Sequence, residues 1–365
     1  MEFVASPRGH LVILKIHSFI HTNSQKKDIT MKTILTGVKP TGTVHFGNYV
    51  GAIRPAIQLG HDINAKGGRH IMFVADYHAI NAIKDAPLLK QLTKEIASTY
   101  LACGLDPKHS LFYKQSDVPE LFELTTILMA YTPKGLMNKS HAYKAQVDKN
   151  MAKGEPNDAG INMGLYTYPV LMAADILAYD TDIVPVGKDQ IQHVEIAADI
   201  AGSINAHYKK EVLKIPEYVV QVNSQVLPGT DGQKMSKSYN NVIPLFADDN
   251  VLKKAVMGIK TDCQGLNDKK NPEDILLYHI IKGVAKDDVV QTVKDGLEQG
   301  GMGYGDIKKM LLNALHEEID EKREKYNYYM THFDEVEDML QDGAKRARDI
   351  AAPVLNRVKD VIFNR

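Results

Sequence analysis

The chain has little cysteine and no tryptophan: two of its 365 residues are Cys and none is Trp. Cys103 and Cys263 lie far apart and form no C-x-x-C motif, which excludes a disulfide framework and a cysteine-based zinc site. Unpaired cysteines in such small number fit the reducing cytoplasm. No apolar run reaches the roughly 18 residues of a membrane span, so we expect a cytoplasmic protein that is not embedded in a membrane.

The chain also lacks an excess of either charge, with 44 Lys and Arg against 45 Asp and Glu. This balance neither indicates nor excludes nucleic acid, since binding depends on local phosphate contacts. Hydrophobic residues make up 44% and charged residues 24%, as is ordinary for a globular protein. The length is sufficient for two domains.

Residues 1–30 lack the features of a secretory signal. Their apolar stretch HLVILKIHSFI is interrupted by Lys15 and His17, and no A-x-A-like cleavage site follows it. A strand pattern, MKTILTG, begins at Met31. We interpret residues 1–30 as an extension that is disordered or arises from a start codon assigned too early. The alternative is a short element that packs on the domain.

From Lys32 onward, short β-branched or apolar runs alternate with helical periods. The runs KTILT, RHIMFVAD, HSLFYKQS and TDIVPVG indicate strands, and a near-continuous apolar run is typical of a parallel sheet buried on both faces. Amphipathic helices such as APLLKQLTKEIASTYLACG separate them. After about Asn240 only helical periods remain. This alternation predicts an α/β fold with a parallel sheet, followed by a helical domain.

The segment TGVKPTGTVHFGNYVGA at 36–52 has the glycine spacing of a phosphate-binding loop but not its lysine. Gly37 and Gly42 are spaced as in G-x-x-x-x-G-K-[ST]. However, Thr43 stands in place of the lysine, and Pro40 removes a backbone donor. These departures argue against a P-loop.

His45, Gly47 and Asn48 stand where the predicted strand gives way to a helix. A helix N-terminus presents free N–H groups and a positive dipole end to anions. Gly47 permits close approach to the backbone, and His45 and Asn48 supply donors without negative charge. The segment therefore predicts a phosphate site, with a glycine-rich turn of no special use as an equal alternative.

A second segment, LPGTDGQKMSKSYNN, carries Lys234 and Lys237 in a loop rich in Gly, Asn and Ser. Two lysines in a polar loop are suited to close over a polyphosphate and to stabilise a leaving pyrophosphate. The alternative is a solvated charged loop, which is the commonest reading of a lysine pair.

Together the two segments resemble the paired signatures of class I aminoacyl-tRNA synthetases. His45-Phe46-Gly47-Asn48 is similar to the HIGH signature, and Lys234 to Ser238 spells KMSKS intact. The segments YPVLMAADIL at 168–177 and DIVPVGKDQIQHVEIAADIA at 182–201 narrow the resemblance to the tryptophanyl-tRNA synthetases. The similarity extends from Met31 to the C-terminus and does not include residues 1–30.

The resemblance implies three domain assignments. Residues 31–228 would form a Rossmann-like catalytic domain, and residues 229–322 would carry the KMSKS loop and a helical anticodon-binding domain. A C-terminal helix at 323–365 would pack back on the catalytic domain.

The resemblance also implies an ATP site without a dedicated protein metal site, with Mg²⁺ arriving on the nucleotide. Four residues would be catalytic: His45, Asn48, Lys234 and Lys237. The residues implied to contact ATP are Lys39, Thr41, Gly47, Asn48, Lys144, Gly187, Asp189, Met235 and Ser236. Lys39 departs from the many bacterial members that have Gln at this position, and Asn48 replaces the second His of HIGH, as is usual in the tryptophan branch.

Asp175 draws attention on its own, because it lies in the apolar stretch YPVLMAADIL and a buried carboxylate requires a partner. An N-cap or a salt bridge is the structural alternative. The family resemblance implies that this aspartate accepts the indole N–H of tryptophan, with Met172 on the same helix face packing the ring. The other residues implied to surround tryptophan are Gly37, His78, Tyr168, Val184, Val186 and Gln190.

The function implied by the resemblance is that of a tryptophan–tRNA ligase, which is expected to use tRNA(Trp), L-tryptophan and ATP and to form a homodimer. A tyrosyl-tRNA synthetase shares both signatures and a G-x-D-Q element, but the MAADIL segment argues against it. A catalytically silent RNA-binding paralogue is the second alternative, and the intact KMSKS argues against it. The H-x-E spacing at His193 does not indicate a zinc deaminase, because no P-C-x-x-C follows.

Overall fold

A computed structural model describes residues 31–220 and 227–365. The expectation for residues 1–30 therefore lies outside the described residues. Five parallel strands form a sheet in the order β3-β2-β1-β4-β5. They are β1 Thr33–Val38, β2 Arg69–Val74, β3 Ser110–Lys114, β4 Ile183–Val186 and β5 Glu217–Val220. The four predicted strands and the α/β class are confirmed, and β5 was not predicted.

Fourteen α-helices lie in the described residues. In chain order they are α1 Phe46–Asn48, α2 Arg54–Ala65, α3 Asp76–Ala79, α4 Ala86–Ala102, α5 Glu120–Ala130, α6 Lys134–Met137, α7 His141–Ala152, α8 Met163–Leu177, α9 Ile191–Tyr208, α10 Asp249–Met257, α11 Leu276–Val284, α12 Asp287–Gln299, α13 Tyr304–Thr331 and α14 Phe333–Phe363. Throughout the described part of the chain, every helix is too short or too polar to span a lipid bilayer.

The strands are apolar along their length because helices cover both faces of the sheet. Successive residues of β2 point to opposite faces, so Met72 joins one apolar cluster and Phe73 the other. Helices α2 and α4 cover the first face, and helices α5, α8 and α9 cover the second. This is the doubly wound arrangement that strand–helix alternation predicts.

The order of the strands places a crevice next to β1. After β1 the chain builds β2 and β3 on one side and then returns to build β4 and β5 on the other. In open parallel sheets, ligands bind where the strand order reverses, outside the carboxyl ends of the strands. Here these ends lead into residues 39–48 after β1 and into residues 187–190 after β4.

The helical part of the chain is continuous with the first face of the sheet. Leu252, Leu277, Val293 and Leu311, one from each of helices α10 to α13, belong to the same apolar cluster as α2 and α4. The proposed boundary between residues 322 and 323 falls inside α13, which runs without a break from Tyr304 to Thr331.

Helix α14 crosses the edge of the sheet at β3. Its first half contributes Val336 and Leu340 to one apolar cluster, and its later part contributes Ala347 and Val358 to the other. The crossing brings the helix very close to the strand: a Cβ at Gly343 would lie 1.9 Å from the backbone oxygen of Phe112. Only glycine fits at this point of contact.

Replacing Gly343 with alanine is therefore expected to destabilise the protein by at least about 1–3 kcal/mol, because backbone atoms of a central contact must move apart. Gly202→Ala in α9 is the matched control, since a Cβ there meets no atom within 4 Å. That control is expected to be neutral or stabilising by up to about 1 kcal/mol. Denaturant unfolding of both variants measures the difference, and equal midpoints would contradict this view of the crossing.

Candidate active site

The segment HFGN forms the start of a helix through reciprocal capping. His45 is the N-cap of α1, and its Nδ1 accepts a hydrogen bond from the backbone N–H of Asn48 at 3.3 Å. In return, Oδ1 of Asn48 accepts from the backbone N–H of His45 at 3.2 Å. Because Nδ1 is an acceptor, the ring proton of neutral His45 lies on Nε2, and the free donor of Asn48 is its amide nitrogen.

His45 acts as a neutral group at physiological pH. Burial, followed by the positive charge of Lys237, lowers the pKa of His45 to about 4. The side chain is 9% exposed. A neutral imidazole at this position can donate from Nε2 to a phosphate oxygen without an obligatory charge of its own.

A cavity of about 260 Å³ brings the two signature segments together. On its polar side lie Lys39, Thr41, Gly42, Thr43, His45, Asn48 and Lys237. Ile53, Ile96 and Tyr100 form part of its apolar wall. Gly42 has φ +144°, and a Cβ there would lie 3.0 Å from Nζ of Lys237. The lysine ammonium thus stands directly over the loop that follows β1.

Backbone N–H groups of HFGN hold the KMSKS loop and the segment that follows it against the helix start. The N–H of Gly47 donates to Sδ of Met235 at 3.3 Å. Beyond the loop, the N–H of Phe46 donates to the carbonyl of Ile243 at 2.9 Å, and His45 forms an antiparallel bridge with Pro244. The predicted pairing of the two signatures is therefore a direct contact, although their sequence positions are far apart.

Asn241, which sequence reasoning missed, organises the KMSKS loop from within. It is 2% exposed. Its Oδ1 accepts from the N–H of Ser236 at 2.8 Å, and its Nδ2 donates to Asp231 at 2.7 Å and to the carbonyl of Lys234 at 3.1 Å. The one signal in the sequence is a polar residue directly before the apolar run VIPLF.

The turn after β4 carries three more predicted residues at the same edge of the sheet. Gly187 and Asp189 are exposed, and Nε2 of Gln190 donates to Oδ2 of Asp189 at 2.9 Å. Lys144 and Lys234 are exposed as well, in the first turn of α7 and at the start of the KMSKS loop. The contacts of these residues with a nucleotide remain predictions.

Asp175 is buried and has partners within the chain. It is 1% exposed, and its Oδ2 lies 2.9 Å from Nε2 of His78. Gln115, which sequence reasoning missed, donates from Nε2 to both carboxylate oxygens at 2.8 and 2.9 Å. Burial raises the pKa of Asp175, and the hydrogen bonds from His78 and Gln115 act against this shift.

The structural alternative, a partner within the chain, is therefore present: His78 lies within hydrogen-bond distance of Asp175, and Gln115 donates to it. A carboxylate has about four acceptor positions, so these three contacts leave room for one more donor. An indole N–H would complete the set.

Tyr168, Met172 and Asp175 lie four and three residues apart in α8, on one face of the helix. The ring of His78 lies edge-on to that of Tyr168, with centroids 6.2 Å apart. The hydroxyl of Tyr168 lies 2.5 Å from Nε2 of His193 in α9. The structure thus brings together four residues that were predicted to surround tryptophan: His78, Tyr168, Met172 and Asp175.

Three residues predicted to line the tryptophan pocket lie in tightly packed parts of the fold: Gly37, Val184 and Val186. Both valines are buried, at 4% and 7% exposed, in the apolar cluster beneath α8 and α9. A Cβ at Gly37 would meet the ring of Phe73 at 2.5 Å. Their contact with tryptophan remains a prediction.

The two halves of the site are close enough to interact electrostatically. Burial lowers the pKa of His193 to about 4, and the charges of His141, His78 and Lys39 lower it further while Asp189 raises it. His193 therefore lies among residues predicted to contact ATP, Lys39 and Asp189, and one predicted to contact tryptophan, His78. Among the described residues, no group of three or more His, Cys, Asp or Glu side chains is placed to hold a metal ion.

Comparison with known proteins identifies the family. The family model described as tRNA synthetases class I (W and Y) matches residues 27–319. A tryptophan–tRNA ligase of Neisseria meningitidis is 43% identical over 335 residues, which is 92% of this chain and 98% of the relative. One of Pseudomonas aeruginosa is 44% identical over 331 residues, which is 90% of this chain and 73% of the relative.

A solved structure agrees with these relatives in fold. Tryptophanyl-tRNA synthetase from Campylobacter jejuni, complexed with ADP and tryptophan, is 41% identical and superposes with a TM-score of 0.81 over 91% of this chain and 99% of its own. An archaeal tyrosyl-tRNA synthetase, at 17% identity and a TM-score of 0.57, shares the fold alone. The chain therefore belongs to the class I tRNA synthetases of the W and Y family, and within them to the tryptophan–tRNA ligases.

Proposed function

We propose that this chain activates L-tryptophan with ATP to tryptophanyl-adenylate and pyrophosphate, and then transfers the aminoacyl group to the 3′-terminal ribose of tRNA(Trp). The observation that carries the proposal is the cavity in which Lys237 faces Gly42 and His45. It joins the HFGN segment and the KMSKS loop at the edge of the sheet where ligands bind.

In the first step, the tryptophan carboxylate attacks the α-phosphate of ATP in line, and the bond to the β-phosphate breaks. The protein supplies positioning and charge stabilisation rather than a covalent intermediate. Nε2 of His45 and the amide nitrogen of Asn48 donate to phosphate oxygens. Lys237 and Lys234 stabilise the negative charge of the departing pyrophosphate.

We also propose the remaining ATP contacts. Lys39 and Thr41 lie on the polar side of the cavity. Gly47 lets His45 and Met235 pack against the helix start, where a Cβ would lie 3.0 to 3.3 Å from them. Met235 and Ser236 hold the loop in place. Gly187 and Asp189 in the turn after β4 receive the adenosine, and Lys144 approaches the phosphates.

Mg²⁺ is expected to arrive with ATP. The polar side of the cavity presents lysines, a neutral imidazole and amide donors, and this set fits phosphate oxygens and not a bare cation. When bound to the phosphates, the ion neutralises part of their charge. The ATP phosphates would supply much of its coordination.

Tryptophan is held at both ends. Asp175, fixed by His78 and Gln115, accepts the indole N–H, and Met172 packs the ring. Tyr168 and Gln190 hold the ammonium and carboxylate end. Gly37, Val184 and Val186 complete the floor beneath the ligand.

We infer that the chain acts as a homodimer in the cytoplasm and that the helical part, from residue 229 to the end of α13, binds the anticodon stem. The catalytic domain at 31–228 and helix α14 form the other part. Buried residues of α4, from the catalytic part, and of α13, from the helical part, belong to one apolar cluster, which supports direct packing of the two parts.

The test is ATP–pyrophosphate exchange with purified protein and a panel of amino acids. Exchange is expected with tryptophan, and with tyrosine or phenylalanine it is expected to stay at the background without amino acid. Charging of a tRNA(Trp) transcript then tests the second step. Exchange with tyrosine would support the tyrosyl alternative, and no exchange with any amino acid would support the silent RNA-binding alternative.

A further inference from the structure

His193 is a buried histidine that the proposed chemistry does not use. It lies in the first turn of α9, is 4% exposed, and its Nε2 is 2.5 Å from the hydroxyl of Tyr168. This is the one hydrogen bond that either side chain makes within the described residues, and Nδ1 of His193 is buried without a partner there. The two rings also pack together, with centroids 5.2 Å apart.

The chemistry of the pair decides which atom donates. Burial lowers the pKa of His193 to about 4, so the ring is neutral and carries one N–H. A phenol is a stronger acid than a neutral imidazole, and an imidazole nitrogen is a stronger base than a phenol oxygen. The favoured arrangement is therefore a Tyr168 O–H donating to Nε2, with the ring proton of His193 on Nδ1.

The direction of this bond fixes what Tyr168 offers to a ligand. With its hydrogen committed to His193, the hydroxyl oxygen can only accept. An ammonium group has three donors and no acceptor, whereas a carboxylate has only acceptors. A Tyr168 held in this way binds an ammonium and does not favour a carboxylate.

We propose that His193 is a positioning residue which holds the Tyr168 hydroxyl as a donor to its ring, so that the oxygen accepts from the ammonium of the amino acid substrate. The inference rests on the proposed function, because it names the group that orients the substrate's amino end. His193 itself touches no substrate. It affects substrate binding only through the hydroxyl of Tyr168.

The test compares tryptophan with indole-3-propionate, which keeps the indole and the carboxylate but has no ammonium. For His193→Leu, the KM for tryptophan in exchange is expected to rise about tenfold, the effect of losing a hydrogen bond to a charged group. The inhibition constant of indole-3-propionate against tryptophan is expected to change less than twofold. His193→Gln, whose side-chain oxygen can accept from Tyr168, is expected to recover most of the tryptophan affinity.

The second arm is a double-mutant cycle with Tyr168→Phe. If His193 acts through the hydroxyl, His193→Leu adds no further loss of tryptophan affinity in the Tyr168→Phe background. Equal weakening of both ligands, or a full additional loss in that background, would overturn the proposal in favour of a purely structural role. Wild-type protein with no tryptophan-dependent exchange would instead refute the proposed function, so the two failures are distinguishable.

Discussion

Replacing Lys237 with alanine is expected to lower kcat for tryptophan-dependent exchange by about 100- to 1,000-fold, the effect of removing one preorganised group that stabilises developing charge. The ammonium lines the cavity and stands against Gly42 of the opposite loop. Lys237 is exposed, so a phosphate can reach its ammonium, although partial burial lowers the pKa of the group. Exchange kinetics at saturating ATP and tryptophan measure the effect.

Lys253→Ala supplies the matched control for this variant. Lys253 is exposed in α10, outside the cavity, and its removal is expected to leave kcat unchanged. The KM for tryptophan is expected to stay within about twofold in Lys237→Ala, because an interaction made only in the transition state appears in kcat. A Lys237→Ala protein that exchanges at the wild-type rate would remove the KMSKS loop from the mechanism.

Asp175→Ala is expected to reduce kcat/KM for tryptophan by about 100-fold. The variant loses a hydrogen bond from the indole N–H to a charged acceptor, and it no longer holds the side chains of His78 and Gln115 in place. The variant also leaves the donors of His78 and Gln115 buried without their acceptor. That loss is expected to destabilise the fold by about 1–3 kcal/mol. Exchange kinetics and denaturant unfolding, measured on the same preparation, separate the two effects.

Two controls accompany the Asp175 variant. Asp349 is exposed on α14, and Asp349→Ala is expected to behave as wild type in both measurements. The KM for ATP is expected to change little in Asp175→Ala, since the nucleotide half of the site is built from other segments. A folded Asp175→Ala protein that uses tryptophan normally would exclude this carboxylate as the indole acceptor.

The sequence predicts a strand well where helices cover both faces of the sheet. Strand β2 lies between β1 and β3 and is covered by helices on both faces, so its residues read as an apolar run. Strand β5 was missed because it has four residues, EYVV, at the edge of the sheet, where a partly buried strand leaves little pattern. Pro55 lies in the first turn of α2, directly after the π-helical turn Tyr49–Ile53, where a residue without a backbone N–H is tolerated.

The sequence shows which segments form the candidate site, but it does not show which side chains contact one another there. His45 and Lys237 are recognisable because each lies in a short motif with a local pattern. The bonds that orient the site join residues far apart in sequence, such as Gln115 with Asp175, which are 60 positions apart. Nothing local marks Gln115, because its role depends on a carboxylate supplied by another helix.

The crossing of β3 by helix α14 also has a consequence for synthesis on the ribosome. Strand β3 is an edge of the sheet, and an uncovered edge is a template for pairing with other chains. Its cover comes late: Gln341 of α14 donates to Asp117, just beyond β3, across 224 positions of sequence. The nascent chain therefore carries an open edge during most of its elongation, and the catalytic half cannot finish folding before α14 has left the exit tunnel.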